Sequence, residues 1–380
     1  MVIKQTYKVQ IEVLSPLHIG SGNKLLSGQD YFLNNNSIQV ISFDELLQKF
    51  SHDRMALAQI ADKLSKRKPL TECFNLKKSL LRPKYVIKTE GFVPGNEISE
   101  QYKLPDLKPA IPGSSLKGAI RTVLLQYALK RNPQLKAGIL QDRGKKDTAS
   151  QAVFGDKANF DPLRVLIVDD FSTLIDALSV FTVKLFDIKN ENSYGWKNFT
   201  SRIVEDQISK ATPILIESIR PGSQFNEGTI SIDTFTLEKL KEKGHIGIFS
   251  DIFSDFFPSF LRIANEYVVE ESKKEIEFLK NFNRSGELAK VINFLEQIKK
   301  SASEDKNHIY LRLAWGIGWK GMTGDYFSDK EITETIKMKY RLSKYSSGVF
   351  PKTRRLVTVS ENGRETPLCP TGWIRIRRIQ

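Results

Sequence analysis

An α+β architecture built on antiparallel sheets is what this sequence predicts, and three observations carry that expectation. Tyr7–Leu14 and Trp373–Ile379 both alternate polar and apolar residues, the period of a half-buried strand. Apolar residues recur at helical spacing twice, at Leu116, Ile120, Val123, Leu124 and Tyr127, and at Leu288, Val291, Ile292, Leu295 and Ile298. Helical segments also collect within residues 237–300 instead of alternating with strands, which disfavours a doubly wound parallel sheet.

The first strand stops at Ser15-Pro16 and leads into a tight glycine loop, Leu17-His18-Ile19-Gly20-Ser21-Gly22. A hairpin follows at Asp30–Ile41, then helices at Asp44–Phe50 and Met55–Leu64. Residues 63–88 and the Pro/Gly-rich passage up to Ile111 read as irregular, so a basic insertion is expected near 44–110. Pro112-Gly113 ends an extended segment, Ser114 or Ser115 offers an N-cap oxygen, and a helix runs over 115–130. Residues 141–160 are polar and glycine-bearing, the composition of a mobile loop. Strands are expected at Arg164–Asp169, Val180–Leu185, Ile214–Ile219 and Gly228–Phe235, with a turn at Arg220-Pro221-Gly222-Ser223. After the helical region come a strand at Ile309–Leu313, a glycine-rich loop over 315–324, a helical stretch at Asp329–Leu342, and strands at Arg355–Val359 and Trp373–Ile379.

A chain of 380 residues is long enough for two domains or one elaborated domain. Its formal charge of +14 points to a polyanionic partner, and the distribution narrows this. Residues 63–88 hold nine Lys/Arg against one acid (Glu72), and residues 337–380 hold eleven against two (Glu361 and Glu365). Regional basicity of this kind suits a nucleic-acid footprint better than a uniformly solubilised surface. The two cysteines, Cys73 and Cys369, lie far apart without metal-ligand spacing, which argues for a reducing compartment and against a disulfide scaffold or zinc site. Met1–Val13 has no signal-peptide core and no apolar run reaches membrane-spanning length, so a cytoplasmic protein without a membrane partner is expected.

The start of the helix at 115–130 is the densest motif. Lys117 and Arg121 sit one turn apart near free backbone N–H groups and the positive helix end, an arrangement that suits phosphate. Gly118 leaves one face bare for close approach. The plainer alternative is an amphipathic helix with solvated cations. Gly316-Ile317-Gly318-Trp319-Lys320-Gly321 formally matches a dinucleotide fingerprint, but no helix is expected to open within it and about 56 residues remain beyond Gly324, too few for a nucleotide-binding half. A glycine loop carrying Lys320 between Trp315 and Trp319 suits a ribose-phosphate backbone better; its alternative is a tight turn with buried tryptophans. Pro351-Lys352-Thr353-Arg354-Arg355 offers a second phosphate clamp or an ordinary charge run. His18, beside a glycine loop, is a candidate acid/base, with a packed or phosphate-contacting histidine as the favoured reading. Asp30, Asp169 and Asp170 are candidate magnesium ligands, and for Asp169 and Asp170 a capping or salt-bridge role is favoured. Phe249, Phe253, Phe256, Phe257 and Phe260 read as core, with a subunit interface as the second possibility.

Together and in this order, Ser15–Gly22, Ile111–Arg121, Arg164–Asp169, Pro221–Phe225 and the loop 315–324 resemble the RAMP superfamily of CRISPR effector proteins. The length, the helical part at 236–305, the Trp315–Gly321 loop and the terminal Pro351–Arg355 and Pro370–Trp373 segments are similar to the branch forming the fifth subunit of type III-A Csm complexes. The resemblance implies a ferredoxin-like (RRM-like) fold, with a unit over 1–235 and a segment 236–380 that forms a second such domain or completes the first. It implies a non-enzymatic, cofactor-free and metal-free crRNA-binding subunit that caps the filament at the crRNA 3′ end. Such a subunit assists crRNA maturation in antiviral defence, beside other Csm subunits, especially the RAMP backbone subunit, and with host nucleases doing the trimming. The implied RNA contacts are His18, Gly20, Ser114, Ser115, Lys117, Arg121, Gly318, Trp319, Lys320, Gly321, Lys352, Arg354 and Arg355. Within the superfamily the slicing subunit uses a metal-dependent aspartate after the first glycine loop, a place comparable to that of Asp30, and processing endoribonucleases often use a histidine. The alternative is therefore a RAMP endoribonuclease using His18 as acid/base or Asp30 with a metal. A protein-binding scaffold that touches RNA weakly is a third reading.

Overall fold

The computed structural model describes residues 3–34, 37–72, 82–90, 95, 97–141, 148–190, 192–283, 285–323, 351–361 and 363–379. The chain opens with β1 (Lys4–Val13), β2 (Gly20–Leu26), β3 (Tyr31–Asn34) and β4 (Ser37–Ile41), then α1 (Phe43–Lys49) and α2 (Arg54–Ser65). Strands β5 (Pro83–Glu90), β6 (Glu97–Gln101) and β7 (Ala110–Ile111) precede α3 (Gly113–Arg131), α4 (Pro133–Gln141) and α5 (Thr148–Phe154). Next come β8 (Leu166–Val168), β9 (Phe171–Ser172), β10 (Leu178–Asn190), β11 (Ser193–Lys197), β12 (Val204–Glu205), β13 (Ile214–Ile219) and β14 (Gly228–Asp233). Helices α6 (Thr234–Glu242), α7 (Ser250–Ser254), α8 (Phe256–Asn281) and α9 (Ala289–Glu304) follow. The described chain closes with β15 (His308–Arg312), α10 (Gly318–Thr323), β16 (Thr353–Glu361), β17 (Arg364–Pro370) and β18 (Trp373–Arg378).

The first sheet has the order β15-β18-β1-β14-β8, and every neighbouring pair is antiparallel. Leaving aside the edge strand β15, the path β1–α3–β8–β14–helices–β18 with the spatial order 4-1-3-2 is the ferredoxin-like arrangement. Alternation along β1 turns Tyr7, Val9, Ile11 and Val13 into the core, where Ile230, Ile232, Ile374 and Ile376 join them from the neighbouring strands. Leu116, Ile120, Val123 and Leu124 of α3 and Phe256, Phe257 and Phe260 of α8 cover that face. Each such side chain contributes about 1.5–3 kcal/mol on burial, so the helical and strand periods lock each other in place.

The second sheet is organised by β10, which is buried along its first eleven residues. Its N-terminal half pairs with β13 (antiparallel) and β5 (parallel), and its C-terminal half with β16 and β11. β2 and β6 extend the sheet beyond β13, and the expected hairpin, β3–β4, extends it beyond β5. The units expected over 1–235 and 236–380 contribute strands to the same two sheets, because β15 and β18 flank β1 and its neighbours while β16 lies against β10. Helices α8 and α9 form an antiparallel pair over a separate cluster containing Ile276, Leu279, Leu295 and Ile298.

Several local expectations are corrected. The passage read as irregular supplies β5 and β6, whose partners are β10 and β13 far along the chain. The stretch read as a mobile loop holds α5 and the end of α4. Neither Ser114 nor Ser115 caps α3: the cap residue is Pro112, and the Gly113 N–H donates to Asp170 Oδ1 at 2.6 Å. A short helix, α10, does open inside the glycine motif, but the strand before it is antiparallel to β18, so no βαβ unit forms around it. The helical stretch expected at Asp329–Leu342 lies outside the described residues, as does Cys73.

The two glycines of α3 differ in surroundings, which sets up a paired test. A Cβ on Gly113 would lie 2.1 Å from the Val168 carbonyl oxygen, whereas one on Gly118 would meet nothing within 4 Å. Gly113→Ala is expected to lose ~1–3 kcal/mol to overpacking. Gly118→Ala should gain about 1 kcal/mol from helix propensity. Urea unfolding midpoints check both, and shifts of the same sign would contradict the packing of α3 on β8.

Candidate nucleic-acid interface

A carboxylate in the middle of an apolar strand, Ile-Leu-Ile-Glu-Ser-Ile, anchors the region around the first glycine loop. Glu217 on β13 is fully buried, and Lys103 reaches its Oε2 at 2.5 Å with only 6% of its own side chain exposed. The Gln101 N–H donates to the same oxygen at 2.8 Å, and Gln101 Oε1 accepts from the Ile19 N–H. Lys103 also sits 4.6 Å over the Tyr85 ring. Burial pushes the Glu217 carboxyl upward while Lys103 opposes it, and burial likewise raises the Tyr85 hydroxyl.

His18 is tied to this cluster. Its Nδ1 lies 2.6 Å from the Glu217 carbonyl oxygen and its ring meets Trp315 edge-on at 5.7 Å. The side chain is 2% exposed, and burial holds its pKa below the usual 6.5, with nearby Lys103 acting in the same direction. His18 is thus a packed core histidine rather than a solvent-facing acid or base, as the favoured sequence reading has it. Gly20 pairs with Gln101 at the start of β2, and a Cβ there would stand 3.5 Å from His18 Nε2.

From this cluster the chain of contacts runs to the glycine-rich loop. The Trp315 N–H donates to the His18 carbonyl at 3.1 Å, and the Trp315 carbonyl accepts from Thr371 Oγ1 at 2.8 Å. Gly316 takes φ +94°, and a Cβ on it would fall 2.2 Å from Thr371 Oγ1, so both conformation and space require glycine. Arg312 binds the Thr371 and Gly316 carbonyls from beneath, and burial pushes its pKa down to about 10.

The loop faces the start of β16. Gly318, Trp319, Pro351, Thr353 and Arg355 are shared by two adjoining recesses of about 100 and 400 Å³. The smaller is walled by α3 (Ala119 and Thr122), α8 and Arg354; the larger also has Lys352 and Asp187. Arg354 is held by Glu275, by the Pro351 carbonyl at 2.8 Å and by the Phe278 ring at 3.9 Å. Arg355 stands 5.0 Å over Trp315, and among the described residues no carboxylate pairs with it. Burial lowers its pKa from the usual arginine value. The structure therefore brings Gly318, Trp319, Gly321, Lys352, Arg354 and Arg355 together at one cleft. Lys320 lies in α10 between them.

The cations of α3 lie elsewhere. Lys117 Nζ donates to the Leu166 carbonyl at 2.8 Å, and burial lowers its pKa. Arg121 pairs with Asp161 at 2.6 Å, donates to Ser150 Oγ at 3.0 Å and stacks 4.0 Å over Phe154. With Asp170 on the Gly113 N–H, the helix start already holds a carboxylate of its own chain, and neither Lys117 nor Arg121 lines the cleft. Ser114 is exposed and Ser115 half-buried on the same turn.

The remaining candidates have structural partners. Asp30 Oδ2 accepts from the Leu26 N–H at 2.7 Å, closing the turn before β3, and burial raises its pKa. Asp169 Oδ2 accepts from the Thr229 N–H and hydroxyl. Among the described residues no group of three or more His, Cys, Asp or Glu side chains is placed to hold a metal. The phenylalanines pack in the core, with Phe154 stacked on Phe249 at 5.5 Å and Phe256 stacked on Phe260 at 5.2 Å. Glu217, Lys103 and Asp187 are not apparent from the sequence; the available signal was, for Glu217, a carboxylate among the aliphatic residues of Ile214–Ile219.

The fold is thus an antiparallel ferredoxin-like sheet with a second sheet beside it, and the glycine-rich loop after β15 meets the start of β16 at a cleft holding Lys352, Arg354 and Arg355. The RAMP superfamily model matches residues 10–319, and the chain belongs to that superfamily. Among solved structures it is similar to a chain of the cryo-EM Csm–crRNA–target RNA ternary complex of a type III-A CRISPR-Cas system. That match has a TM-score of 0.62 and 24% identity, covering 98% of this chain and 100% of the other. It is also similar to the crystal structure of T. onnurineus Csm5, with a TM-score of 0.59 and 23% identity, covering 96% of this chain and 99% of that one. A search of curated proteins finds no match. No described helix is long and apolar enough to cross a membrane.

Two outcomes follow from the buried cluster. Lys103→Met leaves the Glu217 carboxylate uncompensated and should cost ~3–5 kcal/mol, read from denaturant unfolding. Substituting Glu217→Gln in the same chain should return part of that loss. His18 has a folded pKa below its unfolded value, so its contribution is complete above about pH 6.5 and is lost as pH falls below it. Between pH 7.5 and 5.5 the melting temperature should fall less in His18→Gln than in the parent; equal slopes would mean that His18 ionises freely in the fold.

Proposed function

We propose that this protein is a crRNA-binding subunit of a type III-A CRISPR-Cas (Csm) effector complex. In this reading it caps the filament at the crRNA 3′ end, assists crRNA maturation in the cytoplasm, contacts the RAMP backbone subunit, and leaves trimming to host nucleases. The observation that carries the reading is the convergence of two sequence-distant segments, the glycine loop and Pro351–Arg355, on one cleft. That cleft combines the Trp319 indole, a cation, Arg355, with which no carboxylate pairs among the described residues, and close-packed backbone, which suits a ribose-phosphate strand. Correspondence over nearly the full length of the two solved relatives supports placing it in a Csm assembly.

The protein is read here as non-catalytic. His18 is buried against the Glu217 carbonyl, the Asp30 carboxylate closes a turn, and neither lines the cleft. Phosphate contact should rest mainly on Lys352 and Arg355, with Arg354 a positioning residue for the β16 edge.

Binding of single-stranded RNA, measured between 50 and 200 mM salt, tests this. Removing two phosphate contacts in Lys352→Ala/Arg355→Ala should shallow the log–log salt slope by about 1.4. Lys117→Ala/Arg121→Ala should lower thermal stability more than affinity. Unchanged affinity and slope in the first variant would overturn the assignment of the cleft. Precursor crRNA and target RNA incubated with the protein should stay intact with or without EDTA; specific cleavage lost in His18→Ala or Asp30→Ala would establish the endoribonuclease instead.

A further inference from the structure

Positive charge and aromatic faces suffice to hold a polyanion, yet the larger recess of the cleft also contains a carboxylate. Asp187, near the C-terminal end of β10, lines it opposite Lys352 and Arg355, with Trp319 beside them. The recess, about 400 Å³ and open to solvent on one side, has room for a single nucleobase. The Asp187 side chain is 12% exposed, and its ion pair with Lys197 is long, 3.4 Å, which leaves carboxylate lone pairs for another donor.

Such a group has no use in gripping phosphate, which it repels. Of a nucleotide's uncharged donors, the ribose 2′-hydroxyl offers a single O–H, whereas the edge of a base can offer N–H groups side by side, which suits both oxygens of a carboxylate. An unpaired guanine presents two adjacent donors on its Watson–Crick edge, N1–H and the 2-amino group, and these match the two oxygens of one carboxylate. Cytosine and adenine present a single amino group, and uracil only an imino N–H between two carbonyl oxygens that a carboxylate repels.

We propose that this recess receives one guanine of a single-stranded RNA, stacked on Trp319, with Asp187 accepting from N1–H and the 2-amino group and Arg355 on the adjoining phosphate. The proposal rests on the reading of the cleft as an RNA site, and adds one base-selective position to a grip that is otherwise indifferent to sequence. Asp187 is the specificity-determining residue, and Trp319 supplies the stacking face.

The test is fluorescence anisotropy with the full chain and three labelled dodecamers: oligouridylate, the same with one central guanosine, and the same with one central inosine, which lacks the 2-amino group. The guanosine oligomer should bind about tenfold tighter than oligouridylate, as expected for a bidentate base contact, with inosine in between. Asp187→Asn, and independently Asp187→Ser, should erase the difference between guanosine and uridine. Trp319→Ala should weaken binding of all three, and Trp319→Phe should restore it. Tight but equal binding of the guanosine and uridine oligomers by the unmodified protein would overturn the guanine recess while leaving the RNA reading intact. Binding of none of the three at 50 mM salt would overturn the RNA reading itself.

Discussion

The arrangement of the cleft depends on one buried carboxylate. Glu217 sits in an interior strand where an unpaired charge would cost several kcal/mol, so its surroundings are arranged around it. Lys103 and the Gln101 N–H satisfy one oxygen, and these two residues lie just where β6 ends, which sets β6 against β13. The main-chain carbonyl of Glu217 takes the His18 ring, the His18 carbonyl takes the Trp315 N–H, and the Trp315 face underlies Arg355. A buried ion pair of this kind adds little net stability over an apolar replacement. Its effect is geometric: each contact in the series has one arrangement, and the last of them places a guanidinium at the mouth of a cleft.

The glycine loop is held from its other side by the strand that closes the first sheet. Gly372 carries φ +91°, and a Cβ there would fall 2.2 Å from the Leu313 carbonyl, so the turn before β18 abuts the chain leaving β15. Arg312, between them, donates to the Thr371 and Gly316 carbonyls and braces the loop from within. A loop fixed by main-chain and arginine contacts offers its backbone to a ligand at little ordering cost. The elements that hold it, β1, β15 and β18, come from opposite ends of the chain, so the cleft forms only when the ferredoxin-like sheet is complete.

Local patterns made much of this legible. Alternation in β1 and β18 and the helical stripe in α3 depend on neighbours along the chain, and those elements lie where the pattern puts them. Contacts with long sequence separation were not legible. The parallel pairing of β5 with β10 turns the end of a basic segment without clear periodicity into an interior strand. At the start of α3 the free N–H groups, Lys117 and Arg121 looked available to an external anion. The fold meets them with Asp170, the Leu166 carbonyl and Asp161, partners 40–57 residues away that nothing in residues 111–121 encodes. The glycine loop and Pro351–Arg355 were each read as phosphate-binding on local grounds; their meeting at one cleft is a property of β16 lying against β10.

The excess of basic residues then takes a more specific meaning than a charged surface. Lys103, Lys184 and Arg354 are held by buried or partly buried acids, which sets them apart from the cations able to meet a phosphate. Arg355 is one of the latter because its β16 position faces Trp315 instead of α8, where Glu275 would neutralise it. A strand held at few points is free to slide, since every phosphate is alike. A carboxylate set among those contacts changes that, because it repels the phosphates and accepts best where a base edge offers two adjacent N–H donors. In the proposed guanine recess Asp187 supplies what the cations lack, a contact that distinguishes one register of the strand from the next.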